Sequence, residues 1–205
     1  MKIFLTAALA FLLVGCVTAP QKMSEADRRA VTQVAVSPDV AKPPDIYYLG
    51  PGGGAGLAFG AIGAIVSEPG RADARASMRT FVEQNGVSIE RIVLEEFTTA
   101  LKASGKVPIA DQPGRGAATI NIVIRQYGLS IPNGFSSNLV PILYLECTMV
   151  DPAGKPVWSA SDRLLTLGNP VEARPGEALR NDARAIEAVW REAAKHLSTM
   201  ILKEL

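Results

Sequence analysis

The sequence predicts an α+β domain, a mainly antiparallel sheet of about four to five strands with two amphipathic helices packed on one face. Three observations lead there. Apolar residues recur every three or four positions in two segments, Ile89 to Leu101 and Leu179 to Ile201. Between them lie long runs of alternating apolar residues, two of which flank the turn sequence Asp151-Pro152-Ala153-Gly154-Lys155. The chain has 205 residues, 48% of them apolar, and a formal net charge of +1, which suits one buried core.

The chain opens on Met1-Lys2, followed by an uncharged apolar run from Ile3 to Val14 and then Gly15-Cys16. A short positive start, an apolar middle and a small residue at the cut site form a secretory signal peptide. The run is shorter than the roughly 20 apolar residues that span a bilayer. Leu13-Val14-Gly15-Cys16 resembles the lipobox of bacterial lipoproteins. The resemblance implies that residues 1–15 are removed, that Cys16 receives a diacylglyceryl thioether, and that its new amine is acylated by a palmitate-like chain. Val17 stands where aspartate resembles an inner-membrane retention signal, so the expected location is the outer membrane, facing the periplasm. Residues 16–30 are polar and rich in small side chains, as expected of a lipid-anchored flexible tether. Its thirteen residues from Val17 to Arg29 would reach about 45 Å when extended.

The single domain is expected over 31–205. Val31 to Val36 reads as a first strand, ended by Ser37-Pro38 and again by Pro43-Pro44. Residues 49–66 then carry no charge, and Gly52, Gly56, Gly60 and Ala64 recur every four positions. On a helix these small residues share one face, which resembles the glycine zippers of membrane-active and self-associating proteins. Three readings stay open: a loop or buried hairpin of the domain, a zipper helix touching membrane or a second copy, and a mobile linker. Glu68-Pro69-Gly70 is expected to break the chain, and Arg71 to Gln84 to form a short surface helix.

Ser88 is placed to cap the first amphipathic helix, whose face is Ile89, Ile92, Val93, Phe97 and Leu101, with Gly105 at its C-terminal cap. Lys106 to Ala110 reads as a short strand. Ala118 to Ile131 alternates Ile120, Ile122 and Ile124, then changes parity to Tyr127, Leu129 and Ile131, which predicts a bulge near Gln126. Leu139 to Val150 and Pro156 to Leu167 form a hairpin anchored by Trp158 and Leu164. Gly168 to Gly176 is a loop, and one long helix, about Glu177 to Lys203, closes the chain.

The leader holds one lysine, Lys2, of the 21 basic residues and none of the 20 acids, so the mature chain carries 20 of each. That balance argues against nucleic acid as a partner. Cys147 is the only thiol besides Cys16, so no internal disulfide is expected. His196, the single histidine, lacks the cysteine and histidine company of a zinc or copper site, and no metal or other cofactor is expected. The same lack removes most serine and cysteine hydrolase arrangements. Paired carboxylates alone could hydrolyse glycosides, but Glu90, Glu95, Glu96, Glu187 and Glu192 fall on solvated helix faces. Gly52-Gly53-Gly54 lacks the Lys-Ser/Thr end of a phosphate loop.

The reading is a non-enzymatic, outer-membrane-anchored periplasmic lipoprotein that serves as a binding or envelope-assembly accessory. Its element order and anchoring are similar to those of small periplasmic lipoproteins that act as assembly or transport accessories. Expected partners are the membrane, through acylated Cys16, and an envelope protein. Phe135, in the loop Ile131 to Ser137, is a candidate contact or a residue tucked onto the sheet edge. Rival readings are a membrane-active or homo-oligomeric lipoprotein working through Gly52 to Ala64, and a lipid or glycan carrier.

Overall fold

The computed structural model describes residues 20–50, 61–110, 116–134 and 136–205, with residues 61–71 and 73 described by backbone alone. The fold is α+β. Helix α1 spans Glu25–Ala30 and is followed by strands β1 (Val34–Val36) and β2 (Tyr47–Leu49). Helices α2 (Ala61–Gln84) and α3 (Ile89–Ser104) come next, then β3 (Ala118–Ser130), β4 (Asn138–Val150) and β5 (Pro156–Leu164). The two-residue β6 (Arg174–Pro175), α4 (Gly176–Asn181) and α5 (Ala183–Lys203) complete the chain.

The sheet is mixed rather than mainly antiparallel. Its path is β1-β3-β4-β5, with β2 also on β3 and β6 also on β4. The ladders β3–β4 and β4–β5 are antiparallel, as expected of the hairpin, but β1 and β2 both run parallel to β3. They occupy one side of β3 in succession, at Ala118–Ile120 and at Gly128–Ser130, with an Ala41–Val123 bridge between. Residues 34–49 are thus one interrupted edge. Pro38, Pro43 and Pro44 explain the interruptions, since proline brings no N–H to a ladder.

Four expected elements differ. Lys106 to Ala110 makes only an isolated bridge, Val34 to Ile109, because Pro108 cannot donate to extend it. The strand expected from Val31 begins at Val34. Glu68-Pro69-Gly70 does not break the chain; it lies inside α2, whose C-terminal half is fixed by buried Met78 and Val82. The last helix is two. Asp182 is extended, and its carboxylate accepts from the Arg184 N–H at 2.9 Å, so it ends α4 and caps α5.

Other elements follow their sequence signals closely. Ser88 accepts from the Arg91 N–H, and Gly105 adopts the left-handed conformation, φ +60°, at the two ends of α3. The register of β3 against β4 slips between Ile124 and Gln126, which changes the parity of the buried side chains from Ile124 to Tyr127. Trp158 and Leu164 are buried.

The core joins α3, α5 and the sheet. Phe97 and Leu101 from α3 meet Ile186, Trp190, Leu197 and Ile201 from α5 in one cluster with Ile120, Ile122, Leu145 and Met149. Trp190 meets the Tyr127 ring edge-on at 5.7 Å and donates its indole N–H to the Gly128 carbonyl at 3.1 Å.

Outside this core an ion-pair cluster ties α3 to α5. Arg191 reaches Glu96 at 2.8 Å, Glu95 at 3.0 Å and Glu187 at 3.1 Å, and Arg91 also reaches Glu187 at 3.2 Å. Of the acids read as solvated helix faces, Glu95, Glu96 and Glu187 are therefore interhelical partners. The Arg191 hydrogen bond holds the Glu187 carboxyl below its ordinary value, although partial burial opposes it. A depressed carboxylate stabilises the fold above its unfolded value and loses that contribution as pH falls through the folded one. Arg191→Met should cost about 1–2 kcal/mol near neutral pH. The cost should shrink in acid, as pH falls through the depressed Glu187 value. Urea midpoints at neutral and acid pH check this; an equal loss at each would assign the effect to packing alone.

Candidate functional site

Cys16, Gly52, Gly56, Gly60 and Phe135 lie outside the described residues, and Ala64 falls on the backbone of α2. The chain that follows Cys16 is held from Gln21 onward. The expected free tether over 16–30 is docked over most of its length.

The docking begins on the outer edge of β5. Gln21 and Ser159 exchange both backbone hydrogen bonds at 2.9 Å in an antiparallel bridge, and the Gln21 N–H also reaches the Ser159 hydroxyl at 3.0 Å. Met23 is buried. Ser24 then caps α1 by accepting from the Asp27 N–H, with Glu25 and Asp27 in the first turn and Arg28 and Arg29 in the last. Two contacts clamp α1 down: Lys155 pairs with Asp27 at 3.3 Å, and the Arg28 guanidinium donates to the Leu205 carbonyl at 2.9 Å. The end of α5 is held alongside, since the Trp158 indole donates to the Glu204 carbonyl at 3.0 Å. A pocket of about 340 Å³ opens here, bounded by Gln21, Trp158, Asp162, Met200 and Ile201 among others.

At the far end of β5 the chain makes a tight turn. Gly168 sits at φ +69°, a left-handed conformation that favours glycine. The Asn169 amide donates to the Pro141 carbonyl at 2.7 Å and to the Leu165 carbonyl at 3.0 Å, while its oxygen accepts from the Val171 N–H at 3.0 Å. The Thr166 hydroxyl reaches Ser130 at 3.3 Å. This framework carries two exposed leucines, Leu165 at 51% and Leu167 at 82%. With Met200 at 37%, they are the exposed large hydrophobic residues among those described.

Sequence reasoning placed Leu165 and Leu167 at the end of the last strand and did not single them out. Two leucines of one parity, just ahead of Gly168-Asn169-Pro170, were the available signal. Met23 inside an otherwise polar run was the corresponding signal for docking of the N-terminal segment.

The remaining candidates are structural in their surroundings. Cys147 is buried on β4, and burial pushes its thiol well above the ordinary value. His196 is half-buried on α5. Lys42 pairs with Glu90 at 2.7 Å and lies 5.8 Å from the Tyr127 ring centre. Among the described residues, no group of three His, Cys, Asp or Glu side chains is placed to hold a metal ion. Among the same residues, no helix is long and apolar enough to cross a membrane.

No family model matches the chain, and no curated protein matches it. Solved structures similar to it include protein XCC0632 from Xanthomonas campestris, described under the family DUF330. That similarity has 15% identity, covers 84% of this chain and 82% of that one, and has a TM-score of 0.45. A dodecameric PelC variant from Paraburkholderia phytofirmans is 15% identical over 91% of this chain and 92% of its own, at 0.33. The lipoprotein GNA1162 from Neisseria meningitidis is 20% identical over 80% and 98%, at 0.28.

Proposed function

We propose that the chain is a lipoprotein of the outer membrane, held by acylated Cys16 and facing the periplasm. Its domain serves there as a non-enzymatic binding or envelope-assembly accessory, with α3 and α5 on one face of the sheet. The observation that carries the reading is the order Leu13-Val14-Gly15-Cys16 only five residues ahead of Gln21, the first of the described residues paired to the sheet. Anchoring is stable once two or more acyl chains are buried, at about 0.8 kcal/mol per methylene. A balanced charge and a buried thiol suit a role in holding and presenting a surface.

The test is processing in a diderm bacterium, with the full chain grown on labelled palmitate. The wild type should carry label, have a mature mass beginning at Cys16, and sediment with membranes. Cys16→Ala should lose the label and shift its membrane partition by roughly tenfold or more. An unmodified wild-type N-terminus, or a Cys16→Ala chain that still sediments with membranes, would defeat the reading.

A further inference from the structure

We infer that the turn bearing Leu165 and Leu167 is a bilayer-contacting surface that works beside the lipid anchor. The inference rests on the anchored reading above and adds an orientation to it, with the β5 end of the sheet turned toward the membrane.

The first support is reach. Five peptide steps separate Cys16 from Gln21, so the anchor lies within about 18 Å of Gln21 whatever path the chain takes. Leu165 stands six residues along the chain from Ser159, the partner of Gln21, or about 20 Å at strand rise. The antiparallel bridge also sets direction. At Gln21, the chain traced back toward Cys16 heads the same way as β5 does on its course to Leu164. A bilayer that holds Cys16 is therefore within reach of the leucines at the end of β5.

The second support is construction. Leu167 is not on a loose loop; Gly168, Asn169 and Thr166 hold the turn by its own hydrogen bonds and by links to β3 and β4. The leucines are held outward. Arg163, exposed just before them on β5, offers a cation of the kind that meets headgroup phosphates.

The third support is size. A specific protein interface buries on the order of 1,000 Å² or more, far beyond what two leucines supply. A bilayer makes no such demand here, since the anchor already makes the second contact intramolecular and raises its effective concentration. A lipid surface is the occupant that a small, fixed apolar turn fits.

The test uses the full acylated chain reconstituted in phosphatidylethanolamine–phosphatidylglycerol vesicles. Leu167→Cys carries an environment-sensitive fluorophore, and Asp39→Cys, exposed beyond β1 at the opposite edge, carries the same probe as control. Buried Cys147 and acylated Cys16 are not labelled. At position 167, emission should shift to the blue on reconstitution, and lipid-borne quenchers should act several-fold better than aqueous iodide. Position 39 should show the reverse. If mass analysis finds Cys16 acylated while position 167 is as open to iodide as position 39, the orientation is wrong and the anchor stands. Protection from iodide without quenching from lipid would assign the turn to a contact with a second copy of the chain and overturn the inference. An unacylated chain that vesicles do not retain would remove the anchored reading and the inference together.

Discussion

Gly128→Ala is expected to destabilise the domain by roughly 2–5 kcal/mol, from backbone strain and overpacking together. Gly128 lies in β3 at φ +151°, outside the range that side-chain-bearing residues adopt readily. A β-carbon there would also collide with the Tyr47 backbone carbonyl, because β2 runs directly alongside. Neither neighbour has room, since β4 flanks Gly128 on the other side through Ile142. Urea unfolding should show the lowered midpoint, with β2 the first element to lose amide protection. An unchanged midpoint would mean that β2 detaches at no cost and is not part of the cooperative fold.

Trp190→Ala should cost about 3–5 kcal/mol, as for other buried aromatic residues cut to alanine. Trp190 is fully buried on α5, so its removal leaves a cavity beside Tyr127. It also strips the Gly128 carbonyl of the indole donor, adding the penalty of a buried acceptor without its partner. Trp190→Phe should recover part of the volume and none of the hydrogen bond, and so fall between alanine and wild type. If phenylalanine matched wild type, the indole bond to Gly128 would contribute nothing. Because both substitutions act where β3 meets α5, their effects should not add; a double variant measures that coupling.

The contrast between these residues shows what could be read in advance. Trp190 announced itself as one step of an apolar stripe, and stripes of that kind average over many positions. Ser88 and Gly105 bracketed α3 because capping chemistry is local to a few residues. The bulge in β3 was visible for the same reason, as a change of parity in one continuous run. Gly128 carried no comparable signal. Its need for a missing side chain comes from Tyr47, eighty-one positions earlier, and sequence order says nothing of that approach.

Short elements were lost for a related reason. Strand β2 has three residues and β6 two, too few to display a period, and their existence depends on the neighbour they pair with. The helix through Pro69 and the division at Asp182 each set a local preference against tertiary packing. The helix runs on through Pro69 all the same, and the local cap prevailed at Asp182. For the candidate site, the motif proposed as an anchor can be read in the sequence because it is contiguous. The turn of Leu165 and Leu167 cannot, since exposure is a property of the folded chain.

The clasp formed by α1 has a mechanical consequence. Tension arriving through residues 17–20 meets two backbone hydrogen bonds at Gln21 and Ser159, then the Lys155–Asp27 and Arg28–Leu205 contacts, one after another. Strand β1 feels the load only after residues 21–33 have straightened, a length of about 45 Å. Under a pull on the N-terminal segment, α1 should therefore yield first while the sheet behind it stays folded, because its contacts lie ahead of β1 along the chain.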